Sequence, residues 1–147
     1  ALSEPGDVVV IDGGGRGDIS AMGGLSTLVA KKYRLAGNIV DCGVRDVGEI
    51  RALDYPVWSR GVTPITGKFR FEALEINGPV VCGGVSVYPG DLVVADDSGV
   101  AIVPQKFIKI VVERTIETLK KEDRLIDAIE EGSSIEEIKK ILAPEKW

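Results

Sequence analysis

Two short apolar runs, residues 7–12 (DVVVID) and residues 38–42 (NIVDC), lie one helix-length apart near the start of this chain. Val/Ile runs closed by glycine read as strands buried on both faces. Between them, over residues 22–36, Leu25, Leu28, Val29 and Leu35 recur at helical spacing, Lys31, Lys32 and Arg34 fall in the last turn, and Gly37 follows. These are the marks of a helix and of its stop. Strand, helix and strand in that order predict a β-α-β unit, whose strands are parallel and whose crossover is right-handed in about 98% of cases. The C-terminal ends of both strands then meet at one sheet edge, where open α/β sheets bind ligands.

The rest of the chain reads as an α/β protein with a β-rich middle and C-terminal helices. Residues 13–18 (GGGRGD) read as a loop and residues 43–46 (GVRD) as a turn, followed by one or two helical turns over 47–53. Residues 56–59 are a third strand, and residues 68–76 alternate as a strand running into an Asn77-Gly78 hairpin. Residues 79–82, 85–88, 92–95 and 100–103 are short strands. After Pro104 the pattern becomes helical over 106–131 and Gly132 breaks it; Ser134 with Glu137 is a capping box opening a last helix that ends near Leu142. The expected division is an α/β domain over 1–104 and a helical extension over 105–147. A Pro-Gly-Asp turn precedes the strands at both residue 8 and residue 92. Turn chemistry accounts for that echo, and a duplicated unit is the alternative.

Composition narrows the chemistry. Lysine and arginine total 18 against 23 acidic residues, a net charge of −5. No basic excess exists to neutralise a nucleic-acid backbone. No apolar run reaches the ~18 residues of a membrane span. Two cysteines, Cys42 and Cys82, are too few for a disulfide scaffold and fit a reducing cytosol, and the first residues carry no signal-peptide pattern. Histidine is absent. Ser-His-Asp and Cys-His catalysis and His-ligated zinc are therefore excluded, which leaves carboxylates, arginine, lysine, backbone amides and oxygen-bound cations to do any chemistry.

Three features converge on the predicted sheet edge. Gly23 and Gly24 open the helix and leave the free amides of Gly23, Gly24, Leu25 and Ser26 open to an anion. Arg45 offers a planar fork to a carboxylate or enolate oxygen. Asp46 is a hard ligand for magnesium, which takes one or two carboxylates along with waters and substrate oxygens. Together they suit a small 2-oxo acid that chelates a metal while charge develops on an enolate. Read singly, the glycines are turn residues and Arg45-Asp46 a solvated pair.

Other motifs are weaker. GGGRGD lacks the ending of a P-loop, and it fails as a dinucleotide fingerprint, with Asp41 as its only candidate ribose-binding acid. Arg16-Gly17-Asp18 is a chance adhesion tripeptide. Cys42 and Cys82 read as small core residues, Trp58 and Trp147 as packing or interface residues.

The segments VVVIDGGGRGD, MGGLSTLVAKKYRLAGNIVDCGVRD, PVWSRG and VCGGVSVYPGDLVVADDSGVAIVP resemble the family of the regulator of ribonuclease activity A and the 4-hydroxy-4-methyl-2-oxoglutarate/4-carboxy-4-hydroxy-2-oxoadipate aldolases. The resemblance covers roughly residues 5–104. It implies a swivelling β/β/α fold, assembly as a trimer or hexamer with sites between subunits, and Mg2+ or Mn2+ activating a 2-oxo acid for cleavage to pyruvate or for oxaloacetate decarboxylation. It implies that Arg45 binds substrate and stabilises the enolate, that Asp46 binds the metal, and that the amides of Gly23, Gly24, Leu25 and Ser26 hold the pyruvyl carboxylate. It also implies an acidic residue where this chain has Gly24, a role that would pass to Asp12, Asp18 or a neighbouring subunit. Finally, it implies some 50–80 residues before the first strand, where this chain has few; a separate N-terminal chain is one expectation. The alternative within the same family is a non-catalytic, protein-binding regulator.

Overall fold

A computed structural model describes residues 2–142 of the chain, and Trp147 lies outside them. The chain divides into two units, Ala1–Pro104 and Gln105–Trp147. The first is a mixed α/β unit built on a three-stranded parallel sheet in the order β1-β2-β3. Its elements are β1 (Val8–Met22), α1 (Gly24–Lys32), β2 (Gly37–Val44), α2 (Val47–Ala52) and β3 (Val57–Val62). Two antiparallel hairpins follow: β4 (Val80–Cys82) with β5 (Val85–Val87), and β6 (Leu92–Asp96) with β7 (Gly99–Val103). Gly83 and Gly84, at φ 62° and 81°, make the first hairpin turn, a conformation that glycine adopts freely.

The β-α-β unit is present, with its helix shorter than the spacing predicts. Met22 is the last residue of β1, and Arg34, at φ 61°, ends the turn after α1. The buried face of α1 is its small one, Gly24, Thr27 and Ala30; Ala30 joins the core cluster, and Gly24 lies against Glu49 of α2. Three of the apolar residues that signal the helix point elsewhere: Leu25 is 80% exposed, Leu28 49% and Val29 55%.

Residues 13–18 are not a loop. They continue β1 alongside β2, with register shifts between Asp12 and Arg16 and again between Arg16 and Ser20. Three residues are inserted between the pairs Asp12–Asp41 and Arg16–Cys42, and Gly14 and Gly15, at φ 70° and 73°, absorb this wide bulge. Glycine here permits an irregular strand rather than ending one. Residues 68–76, in contrast, form no strand. Among the described residues they have no strand to pair with, Phe69 sits at φ 65°, and Phe69 and Leu74 are each 93% exposed. Alternation without a neighbouring ladder leaves backbone groups to water, so Asn77-Gly78 bends the chain without joining two strands.

The core lies between the sheet and α1 and α2. Met22, Ala30, Val40, Cys42, Val44, Ile50 and Tyr55 are buried together, with Ile11, Leu35, Val47 and Leu53 packed against them. Tyr55 Oη donates to Asn38 Oδ1 at 2.6 Å, which satisfies both buried polar groups. Burial pushes the thiols of Cys42 and Cys82 up from their ordinary range, as expected of packing residues.

Gly43 is the tightest point of β2. A Cβ there would stand 2.7 Å from Gly17 O, 2.8 Å from Ile19 O and 2.7 Å from Thr63 Cγ2. Two of those atoms are backbone and cannot rotate away. Gly43→Ala is therefore expected to destabilise the unit by about 2–3 kcal/mol in urea unfolding. Gly48→Ala, with nothing within 4 Å of the new methyl, is expected to be neutral or slightly stabilising.

The second unit holds a 3-10 turn at Gln105–Phe107, α3 (Ile108–Glu130) and α4 (Ile135–Ile141). Gly132, at φ 78°, separates the two helices. Ser134 N donates to Glu137 Oε2 at 2.9 Å and Glu137 N to Ser134 Oγ at 3.4 Å, the reciprocal bonds of a capping box. Among the described residues, no helix is long and apolar enough to cross a membrane.

Candidate functional site

β1 and β2 run parallel and end side by side, at Met22 and Val44. Arg45 N donates to Met22 O at 3.0 Å, which ties the residue after β2 to the last residue of β1. The next residues on each strand are therefore neighbours: Gly23-Gly24 opening α1, and Arg45-Asp46 leading into α2.

Asp46 is bent back into this gap by its backbone. It adopts φ 54° and ψ 38°, a left-handed conformation that Asp tolerates better than most residues, while heading α2. Its side chain makes no cap for its own helix; instead Oδ2 accepts the Gly24 amide at 3.0 Å, across to α1. The same Oδ2 stands 3.4 Å from Arg45 Nε. Arg45 also reaches back to Ser20 Oγ, 3.4 Å from its Nη1, and its side chain stays 39% exposed. The guanidinium is thus steered by two contacts and keeps part of its fork for a ligand. Asp46 Oδ1 takes part in none of these contacts.

The glycines are required by what crowds them. A Cβ on Gly23 would stand 2.5 Å from Asp46 Oδ2 and 3.1 Å from Arg45 Nε. Gly23 has no side chain to cap α1, so Ser26 Oγ accepts the Gly23 amide at 3.0 Å. The first intrahelical bond runs from Thr27 N to Gly23 O. Of the four predicted anion-binding amides, those of Gly23 and Gly24 are occupied within the chain, and those of Leu25 and Ser26 precede the first helical bond and remain at the tip. All the predicted site residues gather at this one edge.

The carboxylates expected to stand in for an acid at position 24 are engaged elsewhere. Asp12 accepts from Gly14 N at 2.9 Å and Val81 N at 3.0 Å. Asp18 pairs with Arg16 at 2.7 Å, and the hydrogen bond from Arg16 lowers its pKa. Asp41 is buried against Arg60 at 2.5 Å, so it is not a free ribose-binding acid. That pair borders a cleft of about 250 Å³ walled mainly by Val10, Ile39, Trp58, Val85 and Ile102, which contains none of the predicted site residues. The carboxylate that fills the place of a side chain on Gly24 belongs to Glu49, overlooked in the sequence; it stands three residues after Asp46, one turn along α2.

A divalent cation fits this donor set only in one form. Among the described residues, no group of three or more His, Cys, Asp or Glu side chains gathers to make a protein cage. Asp46 offers one carboxylate beside open space, which suits magnesium or manganese completed by waters and by the substrate's own oxygens.

Residues 1–102 match the RraA-like family, described as Aldolase/RraA. A protein of Halalkalibacterium halodurans, provisionally named 4-hydroxy-4-methyl-2-oxoglutarate aldolase, is 39% identical over 103 residues, covering 70% of this chain and 49% of that protein. An uncharacterized protein of Pseudomonas syringae pv. tomato has a solved structure that superposes with a TM-score of 0.89 at 33% identity, over 93% of this chain and 68% of the other. Streptomyces coelicolor RraAS2, described as an unusual member of the RNase ES inhibitor RraA protein family, superposes with a TM-score of 0.72 at 32% identity, over 82% of this chain and 62% of the other. The chain spans 21%, 49% and 62% of the length of three curated relatives it matches.

Proposed function

The chain belongs to the RraA-like (Aldolase/RraA) family, and from that premise we propose that it provides the active site of a divalent-metal-dependent lyase cleaving 4-hydroxy-2-oxo acids to pyruvate, with oxaloacetate decarboxylation through the same enolate. One observation carries this reading. Asp46 bonds the Gly24 amide at 3.0 Å with the Arg45 guanidinium 3.4 Å from the same oxygen, so a cation ligand, an oxyanion donor and a helix N-terminus share one small edge. The family includes aldolase-type and regulator-type members, and the name of the Halalkalibacterium relative favours the first.

Each residue has a defined task in this proposal. Magnesium or manganese, when bound, supplies the Lewis acid that polarises the 2-oxo group, and Asp46 is the residue that would hold it. The Leu25 and Ser26 amides, at the positive end of α1, take the substrate carboxylate. Gly23 and Gly24 keep that approach free of side chains. As the 4-hydroxyl gives up its proton to solvent and C4 becomes a carbonyl (or, for oxaloacetate, the C4 carboxylate leaves as CO2), the electron pair of the C3–C4 bond becomes the enolate and the negative charge grows on the C2 oxygen. Arg45 stabilises that oxygen, and a proton delivered to C3 then completes pyruvate. The exposed Leu25, Leu28 and Val29 on α1 form an apolar face of the kind that subunit contacts cover, so the proposal includes assembly as a trimer or hexamer.

Protein supplied with magnesium is expected to release pyruvate from 4-hydroxy-4-methyl-2-oxoglutarate and from oxaloacetate, read by coupled reduction of the pyruvate. Chelation is expected to stop both reactions and added magnesium to restore them. No pyruvate from either substrate, with magnesium or with manganese, overturns the reading. A second reading, a protein-binding regulator, is favoured by Gly24, where α1 lacks an acid of its own, and by the likeness to the Streptomyces protein. Recovery of one protein partner in repeated pull-downs, together with no affinity for either metal, would support it.

A further inference from the structure

Resting on the lyase reading, we infer that Arg70 sets the substrate class: its guanidinium receives the far carboxylate of a five-carbon 2-oxo diacid. In that reading the Leu25 and Ser26 amides take the first carboxylate and Arg45 the C2 oxygen. The C5 carboxylate of 4-hydroxy-4-methyl-2-oxoglutarate is left without a partner. A third segment comes to the same edge. β3 runs parallel to β2 and ends at Val62, paired with Val44, so the residues from 63 onward leave the sheet where Gly23 and Arg45 do.

That segment is tied across the strand ends. Thr63 N donates to Val44 O at 2.9 Å, and Thr63 Oγ1 donates to Asp18 O at 3.0 Å. Ser20 N then donates to Ile65 O and Gly67 N to Ser20 O, each at 2.8 Å, a parallel bridge that seats Thr66 beside Ser20. Gly67 is required for so close an approach: a Cβ there would stand 2.7 Å from Ser20 O and 2.6 Å from Phe71 Cδ2. Each member of this bridge has one guanidinium reaching it. Arg45 Nη1 lies 3.4 Å from Ser20 Oγ, and Arg70 Nη1 donates to Thr66 O at 3.1 Å. Paired backbones run about 4.8 Å apart, so the two arginines fall within reach of one small diacid.

Arg70 is the cation with donors to spare. The other basic residue of the segment, Lys68, lies over the Phe69 ring, 5.1 Å from its centroid. Arg70 takes part in none of the ion pairs among the described residues, and its bond to Thr66 O uses one of five N–H donors. That bond draws the guanidinium toward the edge and leaves the rest of the fork for a carboxylate, which it can hold with two parallel hydrogen bonds.

Two acids that cannot be cleaved isolate this contact. 2-Oxoglutarate and 2-oxopentanoate share five carbons and differ at C5, a carboxylate in one and a methyl group in the other; neither carries the 4-hydroxyl. Both are titrated calorimetrically into the full chain with magnesium. Wild type is expected to bind 2-oxoglutarate about 10-fold more tightly, the lower end of the scale for a hydrogen bond to a charged group. Arg70→Gln retains a donor for Thr66 O and is expected to abolish that preference while leaving 2-oxopentanoate unchanged. Arg70→Lys keeps the charge without the fork and is expected to retain part of it. An Arg70→Gln variant that keeps the preference overturns the inference, whether it binds both acids as before or both more weakly, the second being the mark of a structural role. A wild type without the preference overturns it as well. In each of these cases pyruvate release by the wild type leaves the lyase reading standing. A wild type that binds neither acid and releases no pyruvate overturns both.

Discussion

Asp46→Asn is expected to remove metal-dependent pyruvate release and to lower manganese affinity by more than about 100-fold, beyond the scale of losing an outer partner. Asparagine is the informative replacement. Position 46 holds φ 54° and ψ 38°, a conformation that Asn adopts readily and Ala does not. The Asn side-chain oxygen can still accept the Gly24 amide that Asp46 Oδ2 accepts at 3.0 Å. The change therefore removes the charge and leaves the backbone and the link between α1 and α2 intact. Circular dichroism and urea unfolding close to wild type, with activity and metal binding gone, are the expected pair of results. A variant that turns over normally would show that the carboxylate has no part in the chemistry.

The second large effect concerns Arg45. Arg45→Ala is expected to reduce kcat by about 10²–10³, the cost of removing one donor aimed at a developing oxyanion. Its guanidinium is steered by Asp46 Oδ2 at 3.4 Å and by Ser20 Oγ at 3.4 Å, so the fork is oriented before substrate arrives. Arg45→Lys keeps the charge and loses the planar fork, and it is expected to recover only part of the rate. Steady-state kinetics separate the two roles. A loss in kcat with KM nearly unchanged assigns the interaction to the transition state, and a rise in KM alone assigns it to substrate binding.

The shared sheet edge was legible in the sequence because it depends on topology. Parallel strands joined by one helix bring their C-terminal ends together whatever the loops do, and the two apolar runs with their basic helix stop are enough to predict that. What the pattern hid was the reach of individual elements. GGGRGD looks like punctuation, yet it stays paired with β2 because glycines at positions 14 and 15 absorb the bulge. Residues 68–76 look like a strand because alternation is a property of the chain itself, whereas a ladder needs a neighbour. Leu25, Leu28 and Val29 mark a helix correctly but say nothing of which face is buried, and that face is the small one, Gly24, Thr27 and Ala30.

At the site, Arg45, Asp46 and the helix tip were readable as residue types at the ends of predicted elements. Two facts needed coordinates. Asp46 itself occupies the anion position of the Gly24 amide, which no residue spacing reveals. The acid over Gly24 comes from Glu49, and the only trace of it in the sequence is the three-residue interval after Asp46 on a short predicted helix.

The most direct measurement is a crystal structure of the protein grown with manganese and oxalate, a planar dianion that resembles the enolate of pyruvate. It should place the cation on the Asp46 carboxylate, at about the 2.1 Å of a hard oxygen ligand, with oxalate between the Arg45 guanidinium and the amides of Leu25 and Ser26. Manganese and oxalate bound elsewhere, with Asp46 and Arg45 touching neither of them, would contradict the account.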